Sequence, residues 1–561
     1  MKKGVLITIF VLIIIVLLLA LAAGFIYLQV TREPYIPSAA YLKIDLQGEI
    51  VDHDTSLFSH KNNIRDIWYH IQRAKIDSRI LGIVLKISYL ETGLGKIDDI
   101  GRLLADFRKS GKPVYAYIDN GGLKEYYLAT FADKVYAAKG GGLSINGLAA
   151  EALFIKNTLD MLGIKAEFFH IGEYKTAAHM LTQERLTDAH RESLQTLLND
   201  LYESTLERIA ANRGLDKEMI RNQIENFSFS GEPYLGARMI DQLLYEDEMY
   251  KQHHIDDRLV DFDTYSETSG PYPYRGRDRI AVIFAAGEIY PGQSGKNSLF
   301  GGETLGADTL VQQLESVREN PSVKAVVLRV DSPGGSPFAS EAIHREIQLL
   351  VREKPLVISM SDLAASGGYF LSLSASKIIA LPQTLTGSIG VVGGKFVLKD
   401  LYDKFGIKKE IVKTAPFADM FSDYRLFSPV EREKYQGYML TIYDSFVQKV
   451  AAGRKLPLAE VEQAARGRVW AGSAALKLKL VDRLGGLLDA IAEARQLAHI
   501  PPEVGTGIIL YPHKKSLLQT VQEFMGMSAN TTLNLGYIEK QLRLYQKIFP
   551  AMVMPFKLRF N

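Results

Sequence analysis

The feature that most constrains the fold of this chain is an internal repeat. An alternating apolar segment at residues 41–46 runs into Gly48-Glu-Ile, and a second segment at residues 280–284 runs into Gly287-Glu-Ile. Further matches follow along the chain at an offset of 239 to 243 residues. We therefore interpret the chain as an internal duplication in which both halves share one fold.

Each half alternates short, β-branched apolar segments with amphipathic helical patterns. In the first half, a helical pattern ending in Lys-Pro separates the segments at 80–85 and 114–118, and the segments at 323–328 and 356–360 repeat this arrangement. Strands that alternate with helices typically form parallel sheets with crossover helices. The sequence thus predicts two tandem α/β domains with mainly parallel strands.

A polar, turn-rich segment at residues 266–278 is typical of a linker between the repeats. It places the N-terminal repeat at 41–265 and the C-terminal repeat at 279–500. A tail at 501–561 follows, in which helical patterns precede an apolar, basic end. We expect this tail to pack on its own domain or on a neighbour, and contact with a membrane surface is the alternative.

The N-terminus carries an apolar run at residues 5–28 that is preceded by Lys2 and Lys3. A helix of this length spans roughly 36 Å, which exceeds a hydrocarbon core of about 30 Å. We expect a membrane anchor at 1–30 and an extended stalk at 31–40. The two lysines favour a cytoplasmic N-terminus, which puts the rest of the chain on the other side of the membrane. Cleavage as a signal peptide after Ala22 is the alternative.

The amino-acid composition excludes several kinds of binding site and nucleophile. The 66 basic and 64 acidic residues give a formal net charge of +2, so no overall field favours nucleic acid as a partner. The chain has no cysteine, which excludes disulfides, thiolate metal sites and a cysteine nucleophile. A nucleophile must therefore be a hydroxyl, an amine or a carboxylate.

One hydroxyl stands in a setting that suits a nucleophile. The β-rich run at residues 355–360 ends in small residues that carry Ser366 into Gly367-Gly368. This pattern indicates a strand-to-helix elbow, where small neighbours let a carbonyl approach and the N–H groups of the next turn can face an oxyanion. The alternative is an ordinary helix start packed closely on a sheet.

A second glycine-rich segment, Asp331-Ser-Pro-Gly-Gly335, follows a predicted strand in the C-terminal half. Its backbone N–H groups can approach a ligand closely, although an ordinary turn is equally compatible with the pattern. The N-terminal half has Ser88-Tyr-Leu-Glu-Thr92 at this position, and it has Leu123 or Lys124 opposite Ser366. It therefore lacks an equivalent nucleophile.

A serine nucleophile needs a proton acceptor, which is commonly histidine or a lysine kept neutral by burial. In the C-terminal half, neither His344 nor His499 has the sequence surroundings of a buried, oriented base. Lys175 lies in a small-residue stretch after a predicted strand, and its C-terminal counterpart is Ala418. Lys413 becomes the rival base if the two repeats are aligned with a five-residue shift.

Four motifs together resemble the signal peptide peptidase A family, in its long form known as protease IV: Ala364-Ala-Ser-Gly-Gly-Tyr369, Thr384-Leu-Thr-Gly-Ser-Ile-Gly390, Asp331-Ser-Pro-Gly-Gly335 and Tyr174-Lys175. The resemblance covers nearly the whole chain. It implies two tandem crotonase-like or Clp-protease-like domains after one transmembrane helix, and homo-oligomers built as rings or bowls, with a tetramer among the candidate sizes.

Carried over by motif, the resemblance implies that Ser366 is the nucleophile and Lys175 the general base of a Ser/Lys dyad. The oxyanion donors are then the backbone N–H groups of Gly334 or Gly335 and of Gly367. No metal and no cofactor are expected. To act near neutrality, Lys175 must have a pKa far below its usual value of about 10.4, which requires burial between the domains.

The expected function is that of a membrane-anchored serine endopeptidase that degrades short apolar peptides, such as cleaved signal peptides, through an acyl-enzyme. We expect a single-pass protein of the bacterial inner membrane with catalytic domains on the periplasmic side. Its partners would be peptide substrates, the lipid bilayer and further copies of itself. The alternatives are a crotonase-like acyl-transfer enzyme or isomerase and a non-catalytic membrane scaffold with the same fold.

Overall fold

The computed structural model describes residues 34–54, 62–296, 303–501 and 503–513, the strand Met552–Val553 and the isolated residues Ile14 and Leu17. Apart from those two isolated residues, the predicted membrane helix lies outside the described residues, as do the helical patterns of the tail. A search of the described ranges finds no helix that is both long and apolar enough to cross a bilayer.

The strands, in chain order, are β1 (Ala40–Gly48), β2 (Ile80–Leu90), β3 (Val114–Asn120), β4 (Lys134–Ala138), β5 (Lys165–Ile171), β6 (Gln242–Leu244), β7 (Leu259–Asp261), β8 (Arg279–Ala286), β9 (Glu288–Tyr290), β10 (Gly295–Lys296), β11 (Glu303–Gly306), β12 (Val323–Ser332), β13 (Gly334–Gly335), β14 (Leu356–Ala365), β15 (Lys377–Ala380), β16 (Leu385–Gly387), β17 (Val391–Val397), β18 (Val469–Ala471), β19 (Arg483–Leu484), β20 (Gly507–Tyr511) and β21 (Met552–Val553).

The helices, in chain order, are α1 (Ile64–Ile76), α2 (Leu94–Arg108), α3 (Leu123–Ala129), α4 (Lys156–Leu162), α5 (His179–Thr182), α6 (Asp188–Arg213), α7 (Lys217–Glu225), α8 (Glu232–Gly236), α9 (Glu246–Gln252), α10 (Phe262–Glu267), α11 (Ala307–Glu319), α12 (Pro337–Val351), α13 (Gly367–Phe370), α14 (Lys399–Lys404), α15 (Pro429–Arg454), α16 (Leu458–Ala464), α17 (Gly472–Lys477) and α18 (Leu487–Leu497). A short 3-10 helix, Leu371–Ser374, follows α13 directly.

The two halves build sheets of the same strand order. The first half forms a parallel sheet in the order β6-β4-β3-β2-β1-β7. In the second half, β19-β15-β14-β12-β8-β20 follow one another in the same way and are also parallel. This shared order confirms the predicted α/β fold and its duplication. Strand β20 takes the place of β7, although it lies within the predicted tail.

The two repeats also share a hydrophobic core. Helix α18 of the second half buries Leu487, Ala490, Ile491 and Ala494 in the core that the first half builds around its own sheet. Burying a leucine or isoleucine side chain contributes about 1.5–3 kcal/mol relative to leaving it exposed. Because α18 packs on both repeats, the two repeats form one packed unit and are not independent domains joined by a linker.

A two-stranded antiparallel sheet crosses between the repeats. Strand β5 of the first half pairs with β17 of the second half, from Val391 opposite Ile171 to Val397 opposite Lys165. The chain that follows β5 carries Lys175, so this pairing delivers that lysine to the second repeat. The fold thereby brings the two predicted catalytic residues toward one place.

Helix α12 begins next to the predicted oxyanion loop, and local sequence explains where it starts. The Ser336 side chain accepts a hydrogen bond from Ala339 N, and Pro337 occupies the first helical turn. A serine cap followed by proline is a strong helix-start signal. The serine oxygen accepts one of the N–H groups that have no intrahelical partner in the first turn, and proline has no N–H that needs a partner. The helix therefore begins directly after β13.

Candidate active site

Ser366 stands at a sharp turn between β14 and α13. Its backbone has φ 57° and ψ −115°, which a residue with a side chain rarely adopts. Two hydrogen bonds hold the turn: Ser366 N donates to Gly387 O at 2.8 Å, and Phe370 N donates to Ser366 O at 2.9 Å. The side chain is fully buried. A strained, fixed hydroxyl between a strand and a helix has the geometry of an activated nucleophile.

Lys175 reaches the same hydroxyl from the other repeat. Its Nζ lies 2.7 Å from Ser366 Oγ, and both residues belong to one chain. The lysine is fully buried, and this burial lowers its pKa well below the usual value. Desolvation disfavours the charged ammonium, so the amine can be neutral at a pH where an exposed lysine is protonated. The structure thus brings together the two side chains that the sequence singled out.

Ser388 is a third member of this group to which the sequence analysis assigned no role. Lys175 Nζ donates to Ser388 O and to Ser388 Oγ, both at 2.9 Å. Ser388 has φ 52°, follows Gly387 with φ 77°, and donates its N–H to Arg468 O at 2.7 Å. The available signal was its place in the motif Thr384-Leu-Thr-Gly-Ser-Ile-Gly390, where a serine directly follows a glycine at a strand end.

The three glycines predicted to stabilise an oxyanion lie together. A Cβ atom on Gly367 would lie 2.8 Å from Ser340 Oγ and 3.1 Å from both Gly334 Cα and Gly335 N, so a side chain here would push α13 away from β13. Gly334 and Gly335 have φ values of 98° and 155°. The N–H of Gly334 donates to Ser332 Oγ at 3.2 Å. The three glycines thus bring the backbone of the loop against the residue that follows Ser366.

Strand β13 also has a neighbour that bears on substrate binding. On one side it pairs in parallel with β9, with Gly335 opposite Ile289. On the other side it pairs antiparallel with β21, with Gly334 opposite Val553 and Gly335 opposite Met552. This second edge of the glycine loop therefore accepts an extended strand, which here comes from the tail.

The rival base Lys413 lies elsewhere on the surface. Its Nζ pairs with Asp419 Oδ1 at 2.9 Å and donates to Pro416 O at 3.3 Å, and its side chain is 41% exposed. The geometry thus favours Lys175 over Lys413.

The histidines and the first repeat's lysine have other partners. The expectation that His344 lacks a buried setting is wrong, because this side chain is buried and its Nε2 lies 2.8 Å from Ser374 Oγ. It packs there because α12 lies against the segment that follows α13. His499 is exposed. Lys124, which together with Leu123 is a candidate for the position opposite Ser366 in the repeat, donates to Leu90 O at 2.6 Å. Within the residues that the structure describes, no group of three or more His, Asp or Glu side chains is arranged to hold a metal ion.

One protein family matches this chain in two separate places. The family described as Peptidase family S49 matches residues 106–259 and 348–501, which together are more than half of the chain. The family described as Clp protease matches residues 303–386. The matches to Peptidase family S49 fall once in each repeat, in agreement with the repeated sheet order.

Named relatives match over most of this chain. A protein of Arabidopsis thaliana named serine protease SPPA, chloroplastic, is 35% identical over 478 residues, which cover 83% of this chain and 70% of the relative. A Haemophilus influenzae protein named protease 4 is 33% identical over 476 residues, which cover 81% of this chain and 75% of the relative. A Salmonella typhi protein named protease 4 is 32% identical over 493 residues, which cover 82% and 78%. The predicted resemblance to signal peptide peptidase A is confirmed: the chain belongs to peptidase family S49 and is a serine peptidase with a duplicated, Clp-protease-like fold.

Proposed function

We propose that this serine peptidase works through a Ser/Lys dyad in which Ser366 is the nucleophile and Lys175 the general base. The observation that carries the proposal is the distance of 2.7 Å between Lys175 Nζ and Ser366 Oγ, two fully buried side chains supplied by different repeats. A lysine can serve as base only where burial keeps it neutral, and burial does lower the pKa of Lys175.

The hydrogen bonds of the amine fit this role. A neutral amine has two N–H donors and one lone pair, and the two donors match Ser388 O and Ser388 Oγ. The lone pair then faces the Ser366 hydroxyl, whose proton it accepts as Oγ attacks the peptide carbonyl. We assign the stabilisation of the resulting oxyanion to the N–H groups of Gly335 and Gly367, since Gly334 N already donates to Ser332.

The remaining steps follow from where the proton is held. As the tetrahedral intermediate collapses, the C–N bond breaks, the Lys175 ammonium gives its proton to the departing amine, and the acyl group stays on Ser366 as an ester. A water molecule then attacks this ester while Lys175 accepts the water proton. The acid leaves, and the proton returns to Ser366 Oγ, which restores the starting state.

The substrates proposed are short or unfolded apolar peptides, such as cleaved signal peptides. The edge of β13 that pairs with β21 would hold such a peptide as an added antiparallel strand, and only an extended chain can pair in this way. Phe338, three residues after Gly335 in the sequence, is 69% exposed and adds an apolar side chain to the surface of this part of the chain. These features support apolar or small side chains near the scissile bond.

We further propose that the predicted anchor at 1–30 and stalk at 31–40 hold the two repeats, 41–265 and 279–500, at the periplasmic face of a bacterial inner membrane. The apolar run at residues 5–28 supports this position. Self-association is proposed because large apolar side chains on the segment that follows α14 are exposed, among them Phe405 and Val412.

The experiment that tests the dyad compares Ser366→Ala with Ser372→Ala. Both serines are fully buried, but Ser372 Oγ makes a long hydrogen bond to Gly368 O, at 3.4 Å, and belongs to no proposed catalytic group. Ser366→Ala should abolish cleavage of a Leu- and Ala-rich peptide, while Ser372→Ala should cleave at close to the wild-type rate. Activity of Ser366→Ala within tenfold of wild type contradicts the dyad. Faster cleavage of an equally long Lys- or Glu-rich peptide by the wild type contradicts the proposed preference for apolar substrates instead.

A further inference from the structure

A buried cluster of charged side chains lies between the repeats, close to the two segments that build the active site. Lys96 of α2 is buried, and its Nζ lies 2.5 Å from Asp331 Oδ2 and 3.1 Å from Asp362 Oδ2. Asp331 is the last residue but one of β12, shortly before Gly334 and Gly335, and Asp362 lies four residues before Ser366 on β14. One lysine of the first repeat thus touches both active-site strands of the second.

We propose that Lys96 is a positioning residue of the peptidase, which fixes the glycine loop and Ser366 relative to each other through Asp331 and Asp362. The inference rests on the proposed roles of Ser366 and of the glycine loop. Lys96 itself does not contact the reacting atoms in this view. It acts by holding the ends of two neighbouring strands in one arrangement.

The register of β12 and β14 is irregular just before Ser366, and side-chain contacts are needed there to hold one conformation. Val330 of β12 lies opposite Met360 of β14, but Ser332 lies opposite Ala364, so β14 gains two residues where β12 is regular. Asp331 spans this bulge, because its Oδ1 accepts the N–H of Leu363 at 3.1 Å. Bulges re-aim the residues that follow them and leave backbone groups unpaired. Ser366 follows the bulge, so its direction depends on how the bulge is held.

Asp362, in the middle of the bulge, fastens it to the first repeat. Its carboxylate accepts the N–H of Gly93 at 3.0 Å and the N–H of Lys96 at 2.8 Å, and so caps the N-terminus of α2. A Cβ atom on Gly95 would lie 2.9 Å from Asp362 Oδ1, so a glycine here permits the close approach. Helix N-termini favour carboxylates, and this cap anchors α2 of one repeat on β14 of the other.

The charges around Asp331 make Lys96 difficult to replace. The pKa of Asp331 is raised to about 7, chiefly by burial; the charge of Lys96 opposes this increase, and the nearby carboxylates of Asp52 and Asp362 contribute to it. Arg329 also faces this group and pairs with Asp52 Oδ1 at 2.8 Å. Without Lys96, buried carboxylates would face one another, and the bulge would relax to separate them.

The test measures kcat and KM for a short apolar peptide in Lys96→Met and in a matched control, Lys112→Met. Lys112 is a lysine of the same repeat whose Nζ donates to Ala74 O at 2.8 Å and Asp77 O at 2.7 Å, so the control also loses two hydrogen bonds. Because misplacement of a reacting group by 1 Å can cost about 100-fold in rate, Lys96→Met should lose about 100-fold in kcat with little change in KM. Lys112→Met should keep the wild-type kcat.

A double variant, Lys96→Met with Asp331→Asn, separates positioning from general stability. It removes one of the two carboxylates that Lys96 pairs with, so its melting temperature should return toward the wild-type value, and it supplies a folded protein if Lys96→Met alone does not fold. Its kcat should stay low, because Lys96 no longer links Asp331 and Asp362. Recovery of kcat together with stability, or a kcat of folded Lys96→Met within threefold of the control, overturns the inference. Ser366→Ala is measured in parallel, because activity there would overturn the proposed dyad instead.

Discussion

Ser388 offers a sharp test of how Lys175 is oriented. Its hydroxyl and its carbonyl oxygen both accept hydrogen bonds from Lys175 Nζ at 2.9 Å. Replacing Ser388 by alanine keeps the carbonyl and removes the hydroxyl. One N–H of a fully buried amine then has lost its acceptor, and the lone pair is no longer held toward Ser366. We therefore expect a catalytic defect with little effect on substrate binding.

The size of the defect follows from the burial of the amine. Leaving a buried donor without its partner costs about 1–3 kcal/mol. If this cost appears in the transition state, where the amine must accept the Ser366 proton, kcat falls by roughly 5- to 150-fold, since about 1.4 kcal/mol corresponds to a factor of ten. KM should change by less than about threefold, because Ser388→Ala removes no proposed substrate contact.

The assay is steady-state cleavage of a short apolar fluorogenic peptide by Ser388→Ala, with Ser372→Ala as the control for losing a buried serine hydroxyl. Melting temperatures are measured in parallel, and any loss of stability should be larger for Ser388→Ala, which leaves a buried N–H without an acceptor, than for Ser372→Ala. A kcat of Ser388→Ala equal to that of the control would show that the hydroxyl does not orient the base. A rise in KM at unchanged kcat would instead place Ser388 in substrate binding.

Two other predictions follow from the same site. Lys175→Met should be inactive yet more stable than wild type at pH 7. Between the lowered pKa of Lys175 and its usual value of about 10.4, the unfolded wild type binds one more proton than the folded form, so the stability of the wild type rises with pH. The difference in urea unfolding free energy between the two proteins should therefore disappear toward about pH 10. Equal or lower stability of Lys175→Met at pH 7 contradicts this. Ending the chain at residue 513 removes β21 from the edge of β13; because a tethered strand competes at roughly millimolar effective concentration, KM for a short peptide should fall, about tenfold, and an unchanged KM would show that β21 does not compete.

The sequence predicted the fold well because the duplication shows each strand twice. The predicted segments at 41–46 and 280–284 lie within β1 and β8, and both are followed by the same order of parallel strands. Strand β20 was assigned to the tail because the prolines at 501–502 resemble a domain end. Its pairing with β8 depends on the sheet edge, which no local pattern reveals.

The active site was predictable only in part. Lys175 and Ser366 are separated by 191 residues, and their pairing was inferred from the family resemblance rather than from spacing. Ser388 was missed because its role depends on a left-handed backbone that turns its carbonyl and hydroxyl to one side. Lys96 was missed for a different reason: on a helix it resembles a solvated lysine, and only the packing of the two repeats buries it.

The central claim is that Ser366 is acylated with Lys175 as its neutral base. The most direct measurement is labelling of the full chain with a serine-directed fluorophosphonate across a pH series, followed by mass-spectrometric mapping of the modified peptide. The adduct should lie on Ser366. The labelling rate should rise with pH around a midpoint well below about 10.4, the usual pKa of lysine. In Lys175→Ala, labelling should be lost across the series. An adduct on another serine, or wild-type labelling of Lys175→Ala, would contradict the dyad.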